Sequence, residues 1–215
     1  MNGTSDLIWQ ATLETLQMVG VATLVTVPAG LALGVLLLIT DRGGLLPAPV
    51  VNRILGAIVN VGRSVPFIIL LVAVIPLTRA LVGTTIGTTA AIVPLALATI
   101  PFYARIVETA LREVAPGLVE AALSAGATHR QVVTKVLIPE ALPSLVSGLT
   151  ITVIGVIGYS AMAGAVGGGG LGDVAIRYGY QRYDTEVTIA TVVVLVVLVQ
   201  LIQMAGDLVA RRLSH

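Results

Sequence analysis

The 215-residue chain contains no cysteine. Disulfides, thiol nucleophiles and cysteine-bound metals are therefore excluded. Its two histidines, His129 and His215, lie far apart in sequence, which gives no basis for a histidine metal cluster. Charged residues make up 11% of the chain, against about 25% in soluble domains. The net charge is +1, so no basic field suggests nucleic acid as a partner. Lysine occurs once, as Lys135 after Thr134. A phosphate-cradling loop needs Lys directly after Gly and before Ser or Thr, so the chain cannot hold a nucleoside triphosphate in that way. No cofactor is expected within it.

What is present is apolar. Hydrophobic residues make up 56% and the mean hydropathy is +1.01, which excludes an ordinary soluble or disordered domain. Five runs reach the roughly 20 residues needed to cross hydrocarbon: about 13–39, 54–76, 86–111, 139–166 and 186–209. The runs are long and do not alternate with period two, so helices rather than a barrel are expected. The expected fold is an all-α integral membrane protein, one transmembrane domain over 1–215. The opening residues carry no Lys or Arg and no cleavage-like site, so a removable signal peptide is not expected. Pro28, Pro66, Pro94 and Pro101 fall inside spans and are read as kinks, because neighbouring helices can re-satisfy the freed carbonyls.

An odd number of spans puts the termini on opposite faces. With the N-terminus outside, the inner face holds eight basic residues: Arg42, Arg53, Arg105, Arg112, Arg130, Lys135, Arg211 and Arg212. The outer face holds three, Arg79, Arg177 and Arg182. The positive-inside bias favours this orientation, N-terminus out and C-terminus cytoplasmic.

Between the third and fourth spans, over about 112–138, lies "PGLVEAALSAGATHRQVVTKVLIPEALP" and its approach. Pro116 suits the first helical turn, and Gly126 suits a left-handed helix stop. Thr128 to Gln131 is a T-x-x-Q capping box. Two helices of about ten residues are expected, the second ending before Pro139. Neither can span the bilayer. An amphipathic linker lying on the membrane is one reading. A compact knob that fits a cleft on a soluble partner is the other, favoured by the Ala content and the lack of Trp or Phe.

This segment resembles the EAA loop of bacterial ATP-binding-cassette import permeases, through Glu120, Ala121, Ala122, Gly126, Ile138 and Pro139. The resemblance implies a cytoplasmic coupling helix that docks in a groove of a separate ATPase. "GRSVPFIILL", Gly62–Leu71, and "IGYSAMAGAVGGGGLGDVAIRYGYQRYD" extend the likeness to the methionine-importer permeases, over nearly the whole chain. It implies a homodimer of five-span subunits in the bacterial inner membrane. Two copies of the ATPase would bind ATP and Mg, and an extracytoplasmic substrate-binding protein would dock outside. Tyr159, Ser160 and Met162 would face or gate the pathway.

Arg63 is the clearest charge within a span, and such charges are functional candidates by default. It is read either as paired or snorkelling, or as part of the pathway. Arg105 and Glu108, three apart, are expected to form a surface pair. Gly148, Gly155, Gly158 and Gly164 are read mainly as packing positions; Ser160 and Gly164 form a small-xxx-small pair. The Gly-rich turn after the fourth span is expected to re-enter tightly against a periplasmic binding protein. Arg177, Tyr178, Tyr180, Arg182 and Tyr183 beyond it suit a binding-protein interface or an aromatic belt.

The alternative class is a self-sufficient secondary transporter or channel, which needs coupling-ion groups at mid-membrane. No Asp or Glu is expected near the centre of any span. An intramembrane hydrolase built on Ser160 lacks a base within the spans, so the chain is expected to be non-catalytic.

Overall fold

In hydrocarbon every backbone amide must be bonded within the protein, and the chain meets this demand by being helical almost throughout. The computed structural model describes residues 2–214. Helix α1 (Asn2–Ile39) is the longest. It is followed by α2 (Pro49–Ser64), α3 (Phe67–Ala73), α4 (Ile75–Val82) and α5 (Thr88–Arg112). A knob of short helices comes next: α6 (Pro116–Ser124), α7 (His129–Val132) and α8 (Ile138–Glu140). Then come α9 (Leu142–Gly164), α10 (Gly170–Val174) and α11 (Thr185–Leu213). Helices α1, α5, α9 and α11 are each long and apolar enough to span.

The second span departs from the sequence reading. It is not one helix with a proline kink. Helices α2 and α3 meet at a bend of 105°, and Pro66 ends a helix instead of bending one. Val65, which precedes it, is extended at φ −84°, ψ 123°, as sterics with the proline ring require. The stretch beginning at Leu77, expected as a connection, is mostly the helix α4, closed by Gly83 in the left-handed region. Pro28, Pro94 and Pro101 do lie inside continuous helices.

Helices α1 and α5 pack at close range. Gly30 and Gly34, a G-x-x-x-G pair, lie against Tyr103, Ala104 and Val107. A Cβ on Gly34 would stand 2.6 Å from the Ala104 carbonyl oxygen. Beside this seam the buried hydroxyls of Thr26 and Thr99 bond at 2.7 Å. Buried Leu95, Met18, Ala22, Val156 and Phe67 fill the centre among α1, α3, α5 and α9.

At the end of the bundle away from the knob, α10 folds back on α9 and α1. Gly172 lies directly on the Ala161 backbone, and Gly164 lies on the Gly172–Asp173 backbone. Gly169, the residue before α10, has no side chain to cap it. The caps come from α1 instead. The Gly170 N–H donates to Glu14 Oε2 at 2.7 Å, and the Leu171 N–H donates to Thr15 Oγ1 at 2.9 Å. A carboxylate at a helix N-terminus is favourable both as acceptor and as charge. The tight re-entry expected of the glycine run is therefore built from helix-to-backbone contact.

Gly172→Val is expected to cost roughly 1–3 kcal/mol through overpacking. Gly56→Ala, where an added Cβ meets nothing within 4 Å, is expected to be neutral or slightly stabilising. Thermal unfolding in detergent, followed for both variants, checks the pair; equal midpoints would contradict the packing at Gly172.

Candidate functional site

The knob is made of two turns whose caps are complete. Helix α6 starts at Pro116 and ends at Ser124, and Gly126, two residues on, has φ +85°. The Ala127 N–H donates to the Ala122 carbonyl at 3.0 Å and the Gly126 N–H to the Leu123 carbonyl at 2.9 Å. This is the Schellman pattern, which needs a left-handed residue at that position. Two residues on, Thr128 caps α7. Its N–H donates to Gln131 Oε1 at 2.8 Å, and its Oγ1 accepts from the Gln131 N–H at 3.3 Å. The corner is thus shaped by its own hydrogen bonds.

The second arm of the knob does not stop before Pro139. After α7 the helix widens into a π turn over Val133–Leu137 and runs on through α8. Proline at 139 has no N–H and its ring crowds the carbonyl four residues back. The wider turn accommodates it, and the arm passes into α9 with only a break at Ala141. The knob and the fourth span are therefore nearly one rod.

Glu120 and Ala121 are exposed, with Leu118 and Leu123 beside them at 43% and 39% exposure. Ala122 and Ile138 turn inward, packing with Val119 and Ala127 against buried Val132, Leu137 and Leu111. Pro139 is exposed at the start of the rod. The knob thus presents Glu120 and a thin apolar edge outward, and ties its other face to α5.

Arg105 and Glu108 are not a surface pair. Glu108 is buried at 5% exposure and is the hub of an ion cluster. Arg105 Nη1 donates to its Oε2 at 2.6 Å, and Arg112 Nη2 donates to its Oε1 at 2.9 Å. Arg112 also reaches Asp41 Oδ2 at 2.7 Å in the turn between α1 and α2. Arg105 also reaches Asn60 Oδ1 on α2 at 2.8 Å. One carboxylate thereby joins α5 to α2 and to the α1–α2 turn, eight residues before the knob begins at Pro116. The Arg112 hydrogen bond, with help from the Arg42 N–H, holds the Asp41 carboxyl below its ordinary range. That tie is present above the ordinary carboxylate pKa and is lost as pH falls through the lowered one.

Helix α9 leaves one face uncovered along its whole length. Ser144, Ser147, Ile151, Gly158 and Met162 are exposed, and Gly155 is half-exposed with open space beyond it. The spacing of three and four keeps them on one side. Tyr159 borders this stripe and stacks on Phe67 of α3, with centroids 4.7 Å apart and planes 12° from parallel. Ser160 points the other way: it is buried, and its Oγ donates to the Ile157 carbonyl at 2.7 Å. Gly148 lies against Ile106 and is a packing position. Arg63 sits in the last turn of α2, exposed, with no carboxylate partner among the described residues.

At the opposite end, Arg177 pairs with Asp173 at 2.7 Å, and Arg182 lies over the Tyr178 ring at 4.6 Å. Both cations are thus engaged within the chain. Tyr180 and Tyr183 are free, at 74% and 88% exposure, and Tyr183 has φ +57°.

The sequence over residues 27–215 matches the family described as binding-protein-dependent transport system inner membrane component. The chain belongs to this family. It is a permease component of an ATP-binding-cassette importer, and a multi-pass inner-membrane protein. A probable D-methionine transport permease, MetI, of Vibrio cholerae is 58% identical, with 98% of this chain and 94% of that one covered. A second MetI, of Pasteurella multocida, is 50% identical with 98% and 97% covered. Among solved structures, the MetNI methionine transporter in inward-facing conformations has a chain 49% identical to this one. It superposes with a TM-score of 0.98 over the full length of both chains.

Three features of the permease escaped the sequence reading. The G-x-x-x-G at Gly30 and Gly34 was legible as a close-packing motif. Glu14 and Glu108 were visible as acids in apolar helices, but Glu14 meets amides 156 residues away, and the arginines that hold Glu108 reach on to Asn60 of α2 and Asp41 of the α1–α2 turn. Glu108→Ala is expected to cost about 1–2 kcal/mol. This is less than the loss of a fully buried partner, because Arg105 and Arg112 are 30% and 46% exposed. The apparent melting temperature of the purified permease measures this, and an Arg105→Ala/Glu108→Ala double variant tests the coupling; additive losses would show that the pair is not coupled.

Proposed function

We propose that the chain is the membrane subunit of an ATP-driven importer of methionine or a closely related amino acid. Two copies face one another around a shared pathway, with two ATPase subunits against the knobs and a binding protein on the opposite face. The knob carries this reading. Its corner is internally capped, it exposes Glu120, Ala121, Leu118 and Leu123, and it continues as a nearly unbroken rod into α9. Such a part transmits displacement and does not absorb it. ATP and Mg belong to the ATPase subunits.

The orientation places the knob in the cytoplasm, with the N-terminus outside and the C-terminus inside. The eight-to-three distribution of Lys and Arg supports it. So does the proximity of Asp41 and Arg112, which brings the α1–α2 turn to the knob's end of the bundle.

In transport the ATPases, closing on nucleotide, draw the two knobs together. Gly126 keeps the corner sharp and Glu120 meets a basic groove. The ion hub at Glu108 carries the movement from α5 to α1 and α2, while the knob's second arm carries it to α9. The uncovered stripe of α9, from Met162 past Gly158 and Gly155 to Ser147, is the wall of the pathway. Tyr159 holds that wall against α3 where the second span breaks, and Ser160 steadies the helix behind it. Arg63 lies toward the inner mouth. On the outer face, Tyr180 leads the contact with the binding protein, among Arg177, Tyr178 and Arg182. The two conformations differ in knob contacts, which is what couples nucleotide to access. A self-driven transporter would place an acid on the open stripe, and the stripe carries none.

Gly126→Pro cannot adopt φ +85°, because the ring fixes φ near −65°. Both Gly126→Pro and Glu120→Lys are expected to abolish ATP-driven methionine uptake in proteoliposomes that contain the ATPase and binding protein, while membrane insertion remains normal. Full uptake by both variants would remove the knob from the mechanism.

A further inference from the structure

An open cavity of about 680 Å³ lies toward the knob end of the bundle, between the end of α2, the last turns of α5, the first turns of α9 and the end of α11. Its size is that of a site for a small metabolite. Three arginines from three helices line it: Arg63, Arg105 and Arg211. Arg105 is already neutralised by Glu108. Arg63 and Arg211 have no carboxylate partner among the described residues. The one acid in the lining is Glu113. Phe102, Ile106 and Ile151 supply apolar wall, and Ser144 and Ser147 bring the open stripe of α9 into the same space.

From this lining we infer that the cavity is a zwitterion-binding vestibule, in which Arg63 and Arg211 take the carboxylate of the transported amino acid. The inference rests on the importer reading above and assigns residues to its inner site. Guanidinium groups match a carboxylate in shape as well as charge. Glu113 stands in the same lining to receive the ammonium group. The apolar wall accepts a linear, uncharged side chain without demanding a hydrogen bond from it. A second cation on the ligand would have no acid left to meet it, so basic amino acids fit less well than neutral ones. The two arginines are exposed, and exposed charge pairs are weak. Weak attraction suits a site from which the cargo must leave into the cytosol.

The test uses the complete importer, permease with its ATPase, in nanodiscs without nucleotide. An arginine-specific glyoxal reagent is applied, and modification of Arg63 and Arg211 is read by peptide mass spectrometry. L-Methionine is expected to slow modification of both residues several-fold, whereas methioninamide, which lacks the carboxylate, leaves it unchanged. Equilibrium binding of labelled methionine to an Arg63→Gln/Arg211→Gln importer is expected to fall about tenfold relative to wild type. Binding to the ATPase alone is measured separately and subtracted from both preparations before the ratio is taken. Equal protection by methioninamide, or no protection by either compound, overturns the assignment. Protection that depends on phosphatidylglycerol in the nanodisc and ignores methionine also overturns it, in favour of a lipid headgroup. ATP-driven methionine uptake is measured with the same purified wild-type importer, reconstituted with the binding protein in proteoliposomes. Uptake without protection sinks the vestibule alone, and absence of methionine uptake sinks the importer reading beneath it.

Discussion

A bilayer offers no water to a broken backbone, and the whole architecture follows from that constraint. Where the helices run unbroken, the chain needs nothing further. Where one ends against the bundle, another element must supply the missing partner. Helix α10 is the plainest case. It begins at glycines that allow the chain to turn, and its first amides are met by Glu14 and Thr15 of a helix more than 150 residues earlier. The same constraint explains why the knob is self-contained. Its corner meets the amides of Gly126, Ala127, Thr128 and Gln131 within itself, so it can stand clear of the membrane and move as one piece.

Movement of the knob matters only if something rigid receives it. Two routes leave it. One is covalent: the π turn and the short helix around Pro139 keep the second arm in line with α9. The other is electrostatic. Glu108 is buried, and the two arginines that hold it each reach a second helix or turn. A buried carboxylate is held in a few discrete arrangements by its partners, so the hub resists gradual distortion. Close packing of α1 on α5, through Gly30 and Gly34, makes those two helices a single body that the hub can pull.

The open face of α9 has the complementary property. Its few polar groups are hydroxyls near the knob end, beside the arginine-lined cavity. On the proposed reading, a pathway built this way would interact weakly with its cargo over most of its length, and discrimination would fall to the outer binding partner and to the inner mouth, where charge first appears.

Much of this was legible in the residues. The apolar runs, the Pro116 start, the Gly126 stop and the Thr128–Gln131 box are local patterns, and local backbone chemistry decides them. The EAA-type spacing carried the family. The second span was misjudged because a proline in hydrocarbon can be a kink or an end, and the choice depends on what packs around it. Arg105 and Glu108 looked like a solvated helix pair because i and i+3 spacing says nothing about the α1–α2 turn that covers them.

By itself, then, the sequence determined that the chain is helical, that it crosses the membrane, and that a capped elbow interrupts it. These are properties of periodicity, length and short-range hydrogen bonding. Only the tertiary structure decided that Glu108 is a hub, that Glu14 caps a distant helix, and that Arg63 and Arg211 share one cavity. Each of these needs side chains from separate helices to converge, and convergence is set by packing, which no single segment encodes.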